Sequence, residues 1–173
     1  MAATSALLPV LGPILRPEEM ALRVETVEYD SRRVTSGAVF VAVRGLHHDA
    51  TTFVAQAVSR GAVAVVAETE APADVALPWF QVTDARLALA AVSVALFERP
   101  SEQLLTVGIT GTNGKTTTAY LLAHMFETAG LRCGRIGTVS YRIGDIERAA
   151  ARTTPEAPDV QRLLREMVGQ QCR

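Results

Sequence analysis

The clearest chemistry in this chain lies in the consecutive residues Gly111, Thr112, Asn113, Gly114, Lys115, Thr116 and Thr117. Glycines let successive backbone N–H groups curl around an anion, and a helix opening at Lys115 adds the positive end of its dipole. An ammonium group at Lys115 neutralises outer phosphate oxygens, and the Thr116 hydroxyl is a ligand suited to Mg²⁺. The strict pattern G-x-x-x-x-G-K-[ST] has glycine where this chain has Ile109, whereas Gly108, Gly111 and Gly114 give the variant spacing G-x-x-G-x-x-G-K-T. The expected ligands are therefore ATP and Mg²⁺, with Lys115 and Thr116 as the catalytic pair and Thr116 on the metal. The plainer alternative is a glycine-rich turn with an incidental lysine. Against it, the chain contains sixteen arginines and a single lysine, and that lysine is Lys115. A compact ammonium fits between two phosphates where a planar guanidinium does not.

Other polar residues read less sharply. The adjacent His47 and His48 lack further ligands at metal-binding spacing. His124, midway along the helix after the loop, reads as a packing or surface residue. Cys133 and Cys172 are far apart in sequence and read as buried or incidental thiols, which suits a reducing compartment. Arg32 and Arg33 either balance a substrate phosphate or are a solvated charge pair. Thr153 and Glu156 have capping-box spacing, with Pro155 between them.

The elements that must carry these residues follow from periodicity. Strands are expected at 24–29, 38–43, 62–67 and 79–82, with a helix from about 53 to Gly61 and another from Asp84 to 97. Arg99-Pro100 ends that helix and marks a boundary. Beyond it come a strand at 104–109, a helix at 115–129 and a strand at 133–139, which together predict a parallel βαβ unit. A hairpin turning at Gly144-Asp145 follows, then a helix whose apolar stripe is Val160, Leu163, Leu164, Met167 and Val168. The fold class is α/β: a small α/β N-terminal domain over 1–100, then the opening part of a P-loop, mononucleotide-binding parallel-sheet domain over 101–173. No strand follows the last helix, so the second domain reads as truncated.

Composition bounds the partners. Net charge is −1, 49% of residues are hydrophobic and 20% charged, as in ordinary globular proteins, so no nucleic acid is expected as a partner. No apolar run approaches the roughly 20 residues that span a bilayer. The opening stretch lacks a basic start and is broken by Pro9, Gly12 and Pro13. The expected location is cytoplasmic, without membrane contact.

Gly111 to Thr117, following Val107-Gly108-Ile109-Thr110, resembles the central domain of the Mur ligases and the related folylpolyglutamate synthetases, which are ATP-dependent amide-forming enzymes. The folate branch usually continues GTNGKGS, so Lys115-Thr116-Thr117-Thr118 is closer to the Mur branch. Asp30-Ser31-Arg32 and Ser36 to Ala42 resemble the D-S-R-x(3)-P-G-x-[LI]-F-[VA]-A signature of UDP-muramoyl-peptide-binding N-terminal domains, with Ser36 in place of proline. Ala50 stands where that family usually has glycine. Thr153-Thr154-Pro155-Glu156 resembles the branch that adds the third peptide residue.

The resemblance implies an activity and a set of contacts. UDP-N-acetylmuramoyl-L-Ala-D-Glu would be held by Tyr29, Ser31, Leu46, His47, His48, Arg152, Thr153 and Thr154. ATP would activate its D-Glu carboxylate as an acyl phosphate, which the amine of a diamino acid, meso-diaminopimelate or L-lysine, then attacks. The family also uses a second Mg²⁺, a carbamylated lysine and a C-terminal domain that selects the amino acid. These have no counterpart in the chain, so the 173 residues alone are expected to be inactive. Alternatives are the D-Ala-D-Ala-adding branch, another P-loop ATPase or kinase, and a non-enzymatic nucleotide-binding module.

Overall fold

The β-branched, apolar runs around residues 40 and 65 become the two central strands of a parallel sheet. The computed structural model describes residues 2–3, 22–44, 50–152 and 154–173. The chain divides into two compact units, Met1–Leu96 and Phe97–Arg173.

In the first unit, strands β1 (Ala2–Ala3) and β2 (Arg23–Val24) pair antiparallel. The main sheet consists of β3 (Thr26–Glu28), β4 (Ala38–Val41), β5 (Ala62–Ala67) and β6 (Trp79–Gln81), parallel and in that order. The single strand expected at 24–29 is split at Glu25, whose N–H donates to the Gly37 carbonyl at 2.9 Å. Helix α1 (Val54–Ser59), entered through a 3-10 turn at Ala50–Phe53, connects β4 to β5. Helix α2 (Ala85–Leu96) follows β6.

Both faces of this sheet are covered, so its strands are continuously apolar rather than alternating. Val34, Ala38, Phe40, Ala42, Val65 and Ala67 form a core with Val54 and Ala57 of α1. Val39, Val41, Ala64 and Val66 alternate with these along β4 and β5 and are also buried. Helix α2 buries Ala85, Ala88, Leu89, Val92 and Ser93, the i, i+3, i+4, i+7, i+8 stripe. Its start is capped by Asp84, whose Oδ1 accepts the Leu87 N–H at 2.8 Å, a bond worth about 1 kcal/mol. Gly61, at φ +99°, ends the α1 turn where a Cβ would lie 2.8 Å from the Ser36 Cα, so neither the backbone angle nor the space admits a side chain.

The second unit contains α3 (Lys115–Thr128), the antiparallel meander β7 (Gly134–Ile136), β8 (Ser140–Ile143) and β9 (Ile146–Ala149), and α4 (Ala157–Gly169). The hairpin turns at Gly144-Asp145, as the sequence predicts. Helix α4 lays Leu163, Leu164 and Met167 on Tyr141 and Ile143 of β8, each buried aliphatic side chain contributing about 1.5–3 kcal/mol.

The βαβ expectation is corrected here. Residues 105–110 form no strand, β7 is shorter than 133–139, and its partner among the described residues is β8, antiparallel. Leu105 and Val107 are exposed, as are Leu121 and Met125 on α3. Parallel pairing is stable where both sheet faces are covered. With one side of α3 in solvent, the run at 105–108 is exposed although Leu104 packs on the core, and the antiparallel hairpin, closed by a short turn, forms instead.

Candidate functional site

The site is built on the N-terminus of α3. Its N-cap is Gly114 at φ +77°, a left-handed conformation that costs an L-residue about 1–2 kcal/mol, and Gly111 stands at φ +150°. No side chain caps the helix. The first helical bond runs from Thr118 N–H to the Gly114 carbonyl at 2.9 Å, so the first-turn N–H groups open onto the loop. Lys115 folds back over this loop, with Nζ donating to the carbonyls of Gly111 at 2.5 Å and Thr112 at 3.3 Å. All of Gly111 to Thr117 is exposed. The loop thus offers glycines, uncapped helix dipoles and one ammonium, a donor set that fits a nucleotide's phosphates. Thr116, exposed beside Lys115, fits as an oxygen ligand for a phosphate-bound Mg²⁺.

A cavity of about 470 Å³ in the same unit is lined by Lys115, Thr116, Thr138, Thr154 and Pro155 among others. Two expected regions, the phosphate loop and the Thr-Thr-Pro segment, therefore meet at one space although 38 positions separate Thr116 from Thr154. Thr153 lies outside the described residues. Arg152 is exposed, and its backbone is gripped from both sides: the Tyr141 hydroxyl donates to its carbonyl at 2.8 Å and accepts its N–H at 3.3 Å. Helix α4 starts at Ala157 with Glu156 as N-cap and Pro158 in its first turn, three residues later than the start that the capping-box spacing of Thr153 and Glu156 implies.

A charged cluster in the cavity wall gives no signal in the sequence. The Arg135 guanidinium is buried, 3.3 Å above the Tyr120 ring, and donates to Ser140 Oγ at 2.9 Å and Glu147 Oε1 at 2.7 Å. Ser140 Oγ also donates to Glu147 at 2.6 Å. The Ser140 hydroxyl above all, with Arg135 adding to it, holds the Glu147 carboxyl below the ordinary carboxylate range and outweighs the opposing effect of desolvation. Tyr120 belongs to α3, so the cluster ties the loop-bearing helix to the meander. An arginine between Gly134 and Ile136 gives no periodic signal, which is why the sequence concealed it.

In the first unit, Ser31 is buried and its Oγ donates to Gln56 Oε1 at 2.6 Å, while Tyr29 is half-buried. Arg32 forms a two-point pair with Asp30, at 2.9 and 2.7 Å, which raises the guanidinium pKa further. Arg33 lies 3.3 Å from the buried Glu28. Leu46, His47 and His48 lie outside the described residues. His124 is exposed. Cys133 and Cys172 are buried free thiols, and burial pushes both pKa values up. Among the described residues no helix is long and apolar enough to cross a membrane.

Known proteins resemble this chain in sequence and fold. The Mur ligase family, catalytic domain, matches residues 23–105, and the Mur ligase middle domain matches residues 109–173. The UDP-N-acetylmuramoyl-L-alanyl-D-glutamate–2,6-diaminopimelate ligase of Geobacter metallireducens is 41% identical over 162 residues, covering 91% of this chain and 32% of that protein. Its namesake in Chlorobaculum tepidum is 48% identical over 149 residues, covering 85% and 29%. A solved structure of a ligase of that name superposes with a TM-score of 0.78 at 25% identity, over 99% of this chain and 34% of the other. The D-alanyl-D-alanyl ligase of Acinetobacter baumannii gives 0.60 at 25% identity, over 95% and 33%. The chain spans about a third of the length of the curated relatives it matches. With consecutive family matches across both units, the chain belongs to the Mur ligase family.

Proposed function

We propose that this chain supplies the UDP-muramoyl-peptide side and the ATP-phosphate side of a cytoplasmic ligase that adds a diamino acid to UDP-N-acetylmuramoyl-L-Ala-D-Glu. The observation that carries this reading is the open glycine loop on the N-terminus of α3, sharing a cavity with Thr154. The higher TM-score to the diaminopimelate ligase than to the D-alanyl-D-alanyl ligase supports the third-residue branch. The relatives' names point to diaminopimelate as the diamino acid whose amine is joined, with L-lysine the alternative.

In this reading, the first-turn amides of α3 cradle the phosphates and fix the in-line geometry of phosphoryl transfer. Lys115 leaves the Gly111 carbonyl to neutralise charge that grows on the outer phosphate. Mg²⁺, held by the Thr116 hydroxyl together with phosphate oxygens, would screen the same charge. Thr153 and Thr154 orient the D-Glu carboxylate, whose oxygen takes the γ-phosphoryl group of ATP as ADP leaves; the amine then attacks the acyl phosphate, forming the amide and releasing phosphate. Tyr29 and Ser31 contact the UDP end.

The test uses the complete gene product. ADP release should require both UDP-N-acetylmuramoyl-L-Ala-D-Glu and the diamino acid, and Lys115→Ala should lower kcat by about 10²-fold or more while UDP-substrate binding persists. ADP release indifferent to the UDP-substrate would instead support a different P-loop ATPase.

A further inference from the structure

We infer that Tyr141 is a positioning residue for the muramoyl-dipeptide, acting through the backbone next to Thr153-Thr154; this rests on the substrate reading proposed above. Its ring is buried at 5% exposure among Ile143, Leu163, Leu164 and Met167. It stands on the central strand of the meander, in register with Ile136 on β7 and Arg148 on β9. A side chain locked this way is a rigid post, and its one polar atom is used on the loop entering α4. The hydroxyl donates to the Arg152 carbonyl at 2.8 Å and accepts the Arg152 N–H at 3.3 Å, using both capacities of a phenol on a single peptide position.

That position is exposed, and it directly precedes the pair expected to hold the acceptor. Two residues on, Thr154 lines the cavity with Lys115 and Thr116. A second bond, Ala150 N–H to the Val139 carbonyl at 3.1 Å, brings the same loop against the β7–β8 turn. The 150–152 stretch is thus fastened to the meander, and the meander is fastened to α3 through Arg135 and Tyr120. The phosphate loop and the 150–152 stretch that leads towards Thr154 are therefore held on one frame, the condition for bringing a carboxylate to a phosphoryl group without a search.

Tyr141→Phe keeps the buried ring and removes only the clasp. In the complete gene product, this variant should raise the KM for UDP-N-acetylmuramoyl-L-Ala-D-Glu about three- to tenfold, with the KM for ATP unchanged within about twofold. Backbone amide exchange at Arg152 should accelerate by a similar factor. Equal changes in both KM values would assign Tyr141 to packing alone and overturn the inference, as would an unchanged dipeptide KM. If the parent protein binds no UDP-muramoyl-dipeptide, the ligase reading itself fails, while unaltered Arg152 exchange would separately remove the clasp.

Discussion

Gly114 shows how much of the site depends on one backbone angle. No heavy atom lies within 4 Å of the Cβ it lacks, so alanine there meets no steric barrier and pays only for φ +77°. That cost, about 1–2 kcal/mol, relaxes the free loop and must be recovered when phosphates bind. Gly114→Ala should therefore weaken ATP binding about tenfold in isothermal titration while leaving the circular dichroism spectrum unchanged. Unaltered affinity would argue that the phosphates sit elsewhere. Lys115 was conspicuous in sequence because it is the only lysine; the strain at Gly114 became visible only once the helix start was located.

Among the elements, the link between α3 and the meander runs through Ser140, Arg135 and Glu147, whose carboxyl is held below its usual pKa. A group depressed in the folded state contributes its stability fully above the unfolded carboxylate value, about pH 4.3, and loses it as pH falls through the lower folded value. Glu147→Gln should accordingly lower the melting temperature at pH 7. The gap between variant and parent should close as the melts are taken down towards pH 3. A gap independent of pH would assign the effect to packing rather than to charge. Elements were legible to different degrees: α2 has an unambiguous period, β5 is a short β-branched apolar run that follows Gly61, and the Gly144-Asp145 hairpin has its turn written in it. The segment at 104–109 has an equally apolar pattern yet no strand, because pairing needs a neighbour and cover that local pattern does not encode.

For the whole molecule, a ligand that binds the folded state alone stabilises it by about 2.7 kcal/mol at a hundred times its Kd. Mg²⁺-ATP should thus raise the calorimetric melting temperature, EDTA should reverse much of that rise, and Lys115→Ala should abolish it. A rise that survives Lys115→Ala would place the nucleotide away from the α3 loop. The family matches, 23–105 and 109–173, meet close to the division between units at 96 and 97. The sequence by itself singled out the loop proposed to hold phosphate, because a glycine loop, a lysine and a helix start are local features whose meaning depends on spacing. It also marked the strands and helices of the first unit as an α/β unit, since strands covered on both faces are apolar throughout, whereas their parallel pairing was decided by packing. Only the tertiary structure decided that Thr154 faces the same cavity as Lys115, that Arg135 is buried beneath Tyr120, and that Tyr141 grips Arg152. Those contacts join residues far apart along the chain, and chain-distant proximity is set by how the elements pack, which no short window of sequence contains.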